Sequence, residues 1–346
     1  GVSIGGYGEA LYEDFSAAKD DGKPSGKTDR LDFLRGVLYF GYKFTDSILF
    51  NSEIEYEHAT TGEGAEEKGE ISVEFANIEF LLRRQANIRA GELLVPVGFT
   101  NELHEPTTFP GARRPDVERA IIPATWREVG AGVFGESGAV AYRAYVVAGL
   151  KADRFEASGI REGRQQGSQS TAEDLALTGR IDWDPAPGLT LGGSFFSGDS
   201  GQGLADPARR AIDARTTVAE GHAAWRWEGL EARGLYARTR IGDVTRLNGA
   251  LGLSGAESIG RSQSGWYVQA SFDVLARRSE QSFVPFARYE RYDTQREVPN
   301  GFQRDPENDI WVTTAGVAWK PIPNVVVKAD YQDFRNRAGT GTDQVN

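Results

Sequence analysis

Three glutamates alternate along one stretch of this chain: Glu53, Glu55 and Glu57. Residues two apart on a β-strand share a face and sit about 7 Å from each other. Such a row is either a metal or acid/base cluster or one acidic wall wetted by water, paired in part with arginines opposite; the second reading fits the rest of the chain. His58, His104 and His222 are scattered and lack the spacing of a zinc site, so no metal is expected. Gly135-Glu136-Ser137-Gly138 begins like a nucleophile elbow, but Ala139 breaks the pattern and the place is a turn between two strand-like runs. The glycine-rich stretches 198–203 and 249–255 lack the ordered G-x-G-x-x-G context of a nucleotide site. No catalytic residue, no cofactor and no enzyme activity are expected.

The elements that position these residues are strands. Fifteen strand-like runs follow one another from Val2 to Asn336, among them 34–44, 48–58, 175–183, 216–227, 265–274 and 325–331. Short and long connections alternate, as in a transmembrane β-barrel with brief periplasmic turns and extended outer loops. The tight connections at Thr45-Asp46, 83–87, 136–138, 184–188, Glu228-Gly229, 277–280 and 321–324 hold the Pro, Gly, Asp and Asn that turns require. Most follow an aromatic: Phe44, Phe80, Phe134, Trp183, Trp227, Phe272 or Trp319. A second set, Tyr56, Trp126, Trp266, Tyr289, Trp311 and Tyr331, falls near the opposite strand ends. Two girdles of rings suit the two headgroup levels of a bilayer.

Period-2 alternation assigns the faces. In 48–58, Ile48, Phe50, Ile54 and Tyr56 take one parity and the glutamates the other. A charge turned to hydrocarbon costs ~2 to 4 kcal/mol, so the charged parity must line a lumen. The expected pore-lining set is Arg35, Glu53, Glu55, Glu57, Arg143, Arg180, Glu220, Arg226, Arg288, Glu290 and Lys328, with Lys43, Asp182, His222, Gln269, Asp273 and Asp330 on the same face. Glu74 and Glu92 fit neither face, and a bulge would explain either.

Composition agrees with a barrel. The hydrophobic fraction is 39%, yet mean hydropathy is −0.45, as expected when every second strand residue is polar. No stretch approaches the ~18 to 20 apolar residues of a membrane helix. Cysteine is absent, which removes disulfides and thiolate chemistry. Methionine is absent too, so Gly1 reads as a mature end left by signal-peptide removal. A net charge of −11, part of it in the acidic stretch 62–70 with Glu63, Glu66, Glu67 and Glu70, excludes a nucleic-acid partner.

The chain reads as one domain, 1–346, a bacterial outer-membrane barrel with outer-membrane lipid and lipopolysaccharide for neighbours. Fifteen is an awkward count, because single-chain bacterial barrels have even numbers of antiparallel strands. Sixteen are expected; the run 337–346 is loop-like, and the closing C-terminal strand lies beyond it or is missing. One connection, 97–124, is out of scale. Its four prolines and its Phe99, Phe109 and Ile121-Ile122 point to an ordered excursion folded into the bore. Glu102, His104, Glu105, Arg113, Arg114 and Asp116 are its residues expected to face the constriction or bond to the wall.

Three stretches, VPVGFTNELHEPTTFPGARRPDVERAIIPATW (95–126), VPFARYERYDTQ (284–295) and KPIPNVVVKADYQ (320–332), resemble bacterial outer-membrane porins of the phosphate-selective porin O and P type superfamily. The resemblance implies a 16-stranded homotrimeric channel, constricted by the loop after the fifth strand. Wall faces rich in Gly, Ala and Val, such as 130–133, would permit trimer packing. Phosphate-selective members carry ladders of lysine and arginine, whereas Glu53, Glu55, Glu57, Glu220 and Glu290 mix here with the arginines. The function expected is passive diffusion of small hydrophilic solutes or ions with weak ion selectivity. The alternative is a structural barrel that anchors another envelope component.

Overall fold

Turn chemistry sets the topology: each tight connection returns the chain antiparallel beside the strand it has just left. In a computed structural model, which describes residues 1–59 and 69–346, the strands close into one antiparallel barrel. They are β1 (Val2–Phe15), β2 (Arg30–Thr45), β3 (Ile48–Glu57), β4 (Ile71–Arg83), β5 (Ala86–Leu94), β6 (Arg127–Ser137), β7 (Val140–Ala148) and β8 (Leu175–Ala186). The second half holds β9 (Leu189–Gly198), β10 (Thr216–Trp227), β11 (Leu230–Ile241), β12 (Ser262–Phe272), β13 (Ser282–Glu297), β14 (Asp309–Ile322), β15 (Val325–Asn336) and β16 (Gln344–Val345). The acidic residues Glu63, Glu66 and Glu67 lie outside the described residues.

The closing strand falls within the stretch read as a loop. Gln344 and Val345 pair with Phe15 and Asp14 on one side and with Gln332 and Tyr331 on the other. Two residues carry no readable alternation, which is why the sequence pattern passes over them.

The register keeps two faces apart all round the sheet. Arg35 lies opposite Glu57, Arg143 opposite Arg180, Glu220 opposite Ser194, Arg288 opposite Gln269, and Glu290 opposite Tyr267. The other face exposes Phe40, Ile78, Leu177, Ile181, Val268 and Val327. Phe44, Phe80, Trp183, Trp227, Phe272 and Trp319 stand exposed at the short-turn ends, as expected. Phe134 does not join them. It sits opposite Arg143 on the charged face, where its ring takes the Arg89 guanidinium at 4.6 Å. Trp126 also leaves the second girdle: it is fully buried against Phe196, because it belongs to the neck of the 97–124 segment. Of 130–133, Ala131 and Val133 lie on the apolar face, while Gly130 and Gly132 lie against Val147 and Tyr145 on the other.

The two misfit glutamates have different causes. Between β3 and β4 the pairing steps from Glu53–Phe75 to Ile54–Val73, so Glu74 is a bulged extra residue. Glu92 keeps the apolar register, opposite Ala76 and Val129, and meets Arg127 at 3.4 Å under Gly167. The apolar core sits where the long loops meet the wall. Val97, Ile121, Ile122, Leu150, Ile160, Leu247 and Ile259 from loops pack with Leu93, Phe196, Leu235 and Tyr267 from strands.

The turn between β8 and β9 makes a direct test. Gly188 has φ +76°, and a Cβ there would collide with the Arg226 carbonyl; Gly138 has φ +60° and open space around it. Gly138→Ala should cost only the backbone strain, about 1 kcal/mol, and Gly188→Ala distinctly more, since the wall must also shift. Urea unfolding midpoints of the barrel in lipid vesicles measure both. Equal losses would contradict the collision.

The 97–124 segment and the charged wall

The neck of the segment is closed by one side chain. Asn101 donates to the carbonyls of Val95 (2.6 Å) and Trp126 (2.8 Å), and its Oδ1 accepts from the Trp126 amide (2.6 Å). The Trp126 amide thereby finds its partner, and the two carbonyls, which already accept from the Val97 and Val95 amides, gain a second donor. Further along, the buried Glu118 of α1 (Asp116–Ala120) accepts from the Thr100 amide (2.7 Å), the Thr100 hydroxyl (2.9 Å) and the Tyr267 hydroxyl (2.7 Å). That carboxylate ties both limbs of the segment to β12.

From there the segment reaches strands on every side. Toward β1 to β3, Arg113 pairs with Glu13, Tyr39 donates to Glu105 (3.2 Å), and His104 Nε2 lies 3.2 Å from Glu53. Toward β7 to β10, Glu102 pairs with Arg143 (2.9 Å), Arg180 donates to the Gly98 carbonyl, and Phe99 packs on the His222 ring at 4.6 Å. Toward β13 to β15, Glu290 accepts from the Val117 amide (3.1 Å), Asp330 accepts from the Ala112 amide (2.6 Å), and Lys328 donates to the Gly111 carbonyl (2.8 Å) above Phe109.

The wall residues under the segment pair among themselves as well. Arg288 and Glu290 meet at 2.6 Å with both side chains fully buried. Arg35 bridges Glu9 (3.0 Å) and Glu55 (2.8 Å). His222 stands between Asp182 (2.8 Å) and Glu220 (3.0 Å), and Arg180 holds the same Asp182 at 2.7 Å. Glu53 and Glu55 are thus buried, not wetted: the segment covers one, and a neighbouring strand neutralises the other. Arg226 stands apart at the short-turn end, exposed and paired with Glu231.

Some charges stay uncommitted. Arg114, Arg119, Arg161, Glu57 and Asp116 have no oppositely charged group within 4 Å among the described residues, and all line a gap of about 260 Å³ between the segment and the β1–β3 wall. Arg161 and Arg164, from the loop after β7, donate to the carbonyls of Ala124 and Thr125 and so clamp the segment's return limb. Burial, with Arg164, Arg119 and Arg114 close by, holds Arg161 below the usual arginine range. Neither arginine was expected at the site; they sit in an irregular loop, where no periodicity assigns a direction. Tyr267 and Asn101 were missed too, because a lone hydroxyl or amide carries no pattern.

No protein-family model matches the chain. An uncharacterized protein of Aquifex aeolicus (strain VF5) is 38% identical over 352 residues, spanning 97% of this chain and 77% of that protein. The two belong to one family. Among solved structures, OmpF of Salmonella typhi, in complex with daunomycin, aligns with 99% of this chain and 95% of its own (TM-score 0.62, 12% identity). The outer membrane channel DcaP of Acinetobacter baumannii aligns with 100% and 96% (TM-score 0.59, 12% identity). OmpT of Vibrio cholerae, in its trimer form, aligns with 99% and 97% (TM-score 0.57, 10% identity). The fold is therefore that of the porin barrels, and function has to be argued from the site.

Two outcomes are expected of the contacts that hold the segment. Tyr267→Phe removes one charge-assisted hydrogen bond from buried Glu118 and should cost about 1.5 to 3 kcal/mol. The unfolding temperature, followed by gel mobility, should fall, and tryptic cleavage at Arg113-Arg114 should speed up. An unchanged cleavage rate would mean that Glu118 is held well enough by Thr100. His104 carries a pH signature. Burial is the largest single influence and opposes its protonated ring. The hydrogen bond to Glu53, that carboxylate's charge and the Asn101 carbonyl together outweigh burial and the nearby Arg114, raising its pKa above the ordinary 6.5. A raised imidazole pKa gives stability that is complete below the ordinary value and lost as pH climbs through the raised one. The gap in unfolding temperature between wild type and His104→Gln should be widest in acid and close on the alkaline side. A gap independent of pH would leave the pair without a charge.

Proposed function

We propose that this protein is an outer-membrane porin, a passive diffusion channel for small hydrophilic solutes or ions, and not an enzyme. One observation carries the reading: a single segment bonds to strands on every side of a closed sheet whose opposite face is exposed and apolar. A segment so placed folds into the bore and narrows it. The wall set Arg35, Glu53, Glu55, Glu57, Arg143, Arg180, Glu220, Arg226, Arg288, Glu290 and Lys328 lines the bore, and Glu102, His104, Glu105, Arg113, Arg114 and Asp116 belong to the constriction. The passage runs through the gap beside β1 to β3, where Arg114, Arg119 and Arg161 stand with Glu57 and Asp116.

Charges of both signs across a narrow gap interact by about 4 kcal/mol at 4 Å for an effective dielectric near 20, a field strong enough to orient water. Small polar solutes fit that ordered water; lipophilic ones disrupt it. The mixture of signs argues for weak ion preference and against the phosphate ladder of the porin O and P type group. A trimer joined through the apolar walls fits the porin fold.

The test is single-channel recording in planar bilayers. Wild type should show ohmic steps and, in asymmetric salt, a small reversal potential. Removing residues 105–113, which spares Asn101 and Glu118, should raise conductance and relax the size limit. No ohmic steps from a correctly folded wild-type barrel would favour the anchoring role. Unchanged conductance in the shortened protein would place the constriction elsewhere.

A further inference from the structure

The wall from β10 to β13 carries a feature that the channel does not use. On the apolar face, Ala223 lies opposite Gly234, Gly234 opposite Val268, and Ala232 opposite Ala270, which lies opposite Ala287. These small side chains leave a groove of about 600 Å³, with Trp225 and Tyr289 among the larger groups at its sides. Elsewhere the same face is filled by rings and branched chains such as Phe195, Ile181 and Leu177.

Above the groove, toward the long loops, the chemistry changes within two register steps. Tyr236, Trp266 and Arg291 form one row. Beyond it, Arg238 and Arg240 lie opposite Ser264 and Ser262. Arg238 donates to the Ser262 hydroxyl and Arg296 to the Ser264 hydroxyl, both at 3.1 Å, so two guanidinium groups sit on two buried serines, with Arg240 on the same face opposite Ser262. Glu297, 3.1 Å from Arg238, is the one carboxylate paired with them; Arg240 and Arg296 have none within 4 Å among the described residues. The patch is a cationic surplus on the outer wall, at the level of an aromatic row.

The geometry points to a docking site for a phosphorylated lipid of the outer leaflet, its phosphate on Arg238, Arg240 and Arg296 and an acyl chain in the groove below. The inference rests on the membrane placement proposed above, with the long loops outward. From Tyr236 down to Ala232 is about 14 Å along the strand at ~3.4 Å per residue, or about 10 to 11 Å along the membrane normal for strands tilted ~35 to 45°. A chain descending from the headgroup level therefore reaches the floor of the groove about two thirds of the way to the middle of a ~30 Å hydrocarbon core. Guanidinium forks match phosphate oxygens in pairs, and interfacial arginines draw anionic headgroups. A second copy of the chain could fill the groove, but it would leave the free arginines without phosphate or carboxylate.

Native mass spectrometry of the detergent-purified barrel, with diphosphorylated lipid A as probe, tests the site. Wild type should retain the lipid, and the dephosphorylated form should bind more weakly. The combined Arg238→Gln, Arg240→Gln, Arg296→Gln variant should lose roughly tenfold or more in retention, as expected when charge-assisted contacts are removed. Filling the groove with Ala270→Leu and Ala287→Leu should lower retention comparably while heat-dependent gel mobility stays that of a folded barrel. Unchanged retention in both variants overturns the proposal. So does full displacement of lipid by inorganic phosphate with no effect of the groove substitutions, which would leave a free-anion site. Loss of oligomer in the groove variant with unchanged lipid would hand the groove to a second copy and equally overturn it. A barrel without conductance would defeat the channel reading and leave the lipid result standing.

Discussion

The whole barrel depends on keeping charge off the middle of one of its two faces; charges that do stand on it, among them Glu92 with Arg127 and Arg238 with Arg240, lie at the long-loop end. A single charge turned to hydrocarbon costs ~2 to 4 kcal/mol near the midplane, and a slip of one residue between strands would turn every charge on a strand outward. The register is thus fixed by where ions cannot go as much as by what packs together. The bulge at Glu74 shows the constraint at work. With the extra residue set aside, Phe75 opposes Glu53 and Ser72 opposes Glu55, so the charged side of β3 meets the same side of β4 along its length.

Charges confined to that face still need partners, and here the segment between β5 and β6 supplies many of them through its backbone. Burying an ion pair is repaid only when the remaining hydrogen-bonding capacity is satisfied. The fully buried Arg288–Glu290 pair meets the requirement with the Val117 amide and the Arg113 carbonyl. Asp330 and Lys328, not paired with each other, each find a partner in the segment, the Ala112 amide and the Gly111 carbonyl. Wall and segment therefore specify each other. Without the segment the wall would hold buried charges short of partners, and without the wall the segment would have no fixed shape.

Much of this was legible in the residues. Alternation and turn chemistry give fifteen of the strands and their faces, because each is a local or period-2 property. The sixteenth follows only from the even number a closed antiparallel barrel needs, and its place at Gln344 and Val345 was not legible. The parity of Glu53, Arg180 or Lys328 could be read from its own strand. Pairing could not. That Glu53 meets His104, or Glu118 meets Tyr267, depends on how an irregular segment meets strands far away in sequence, and irregular backbone has no period. The two aromatic exceptions have the same origin. Phe134 and Trp126 stand at strand ends like the girdle residues, but Arg89 claims one and the segment's neck claims the other.

The alignments with OmpF and DcaP run over nearly the whole chain at 12% identity, which shows how little of a barrel's shape rests on particular residues. The alternating pattern suffices for the fold, so whatever sets one such barrel apart has to reside where the pattern is silent. In this protein the silent places are the segment and the loop that carries Arg161 and Arg164. Paired ions such as Arg35 with Glu55 cancel most of each other's field within a few ångströms. The net charge of −11 likewise says little about the passage, since it sums loops and wall alike. Under the channel reading, the field felt by a solute comes chiefly from the charges at the gap that have no oppositely charged partner among the described residues, Arg114, Arg119 and Arg161 facing Glu57 and Asp116. An acidic protein can in this way carry a passage whose walls are close to balanced.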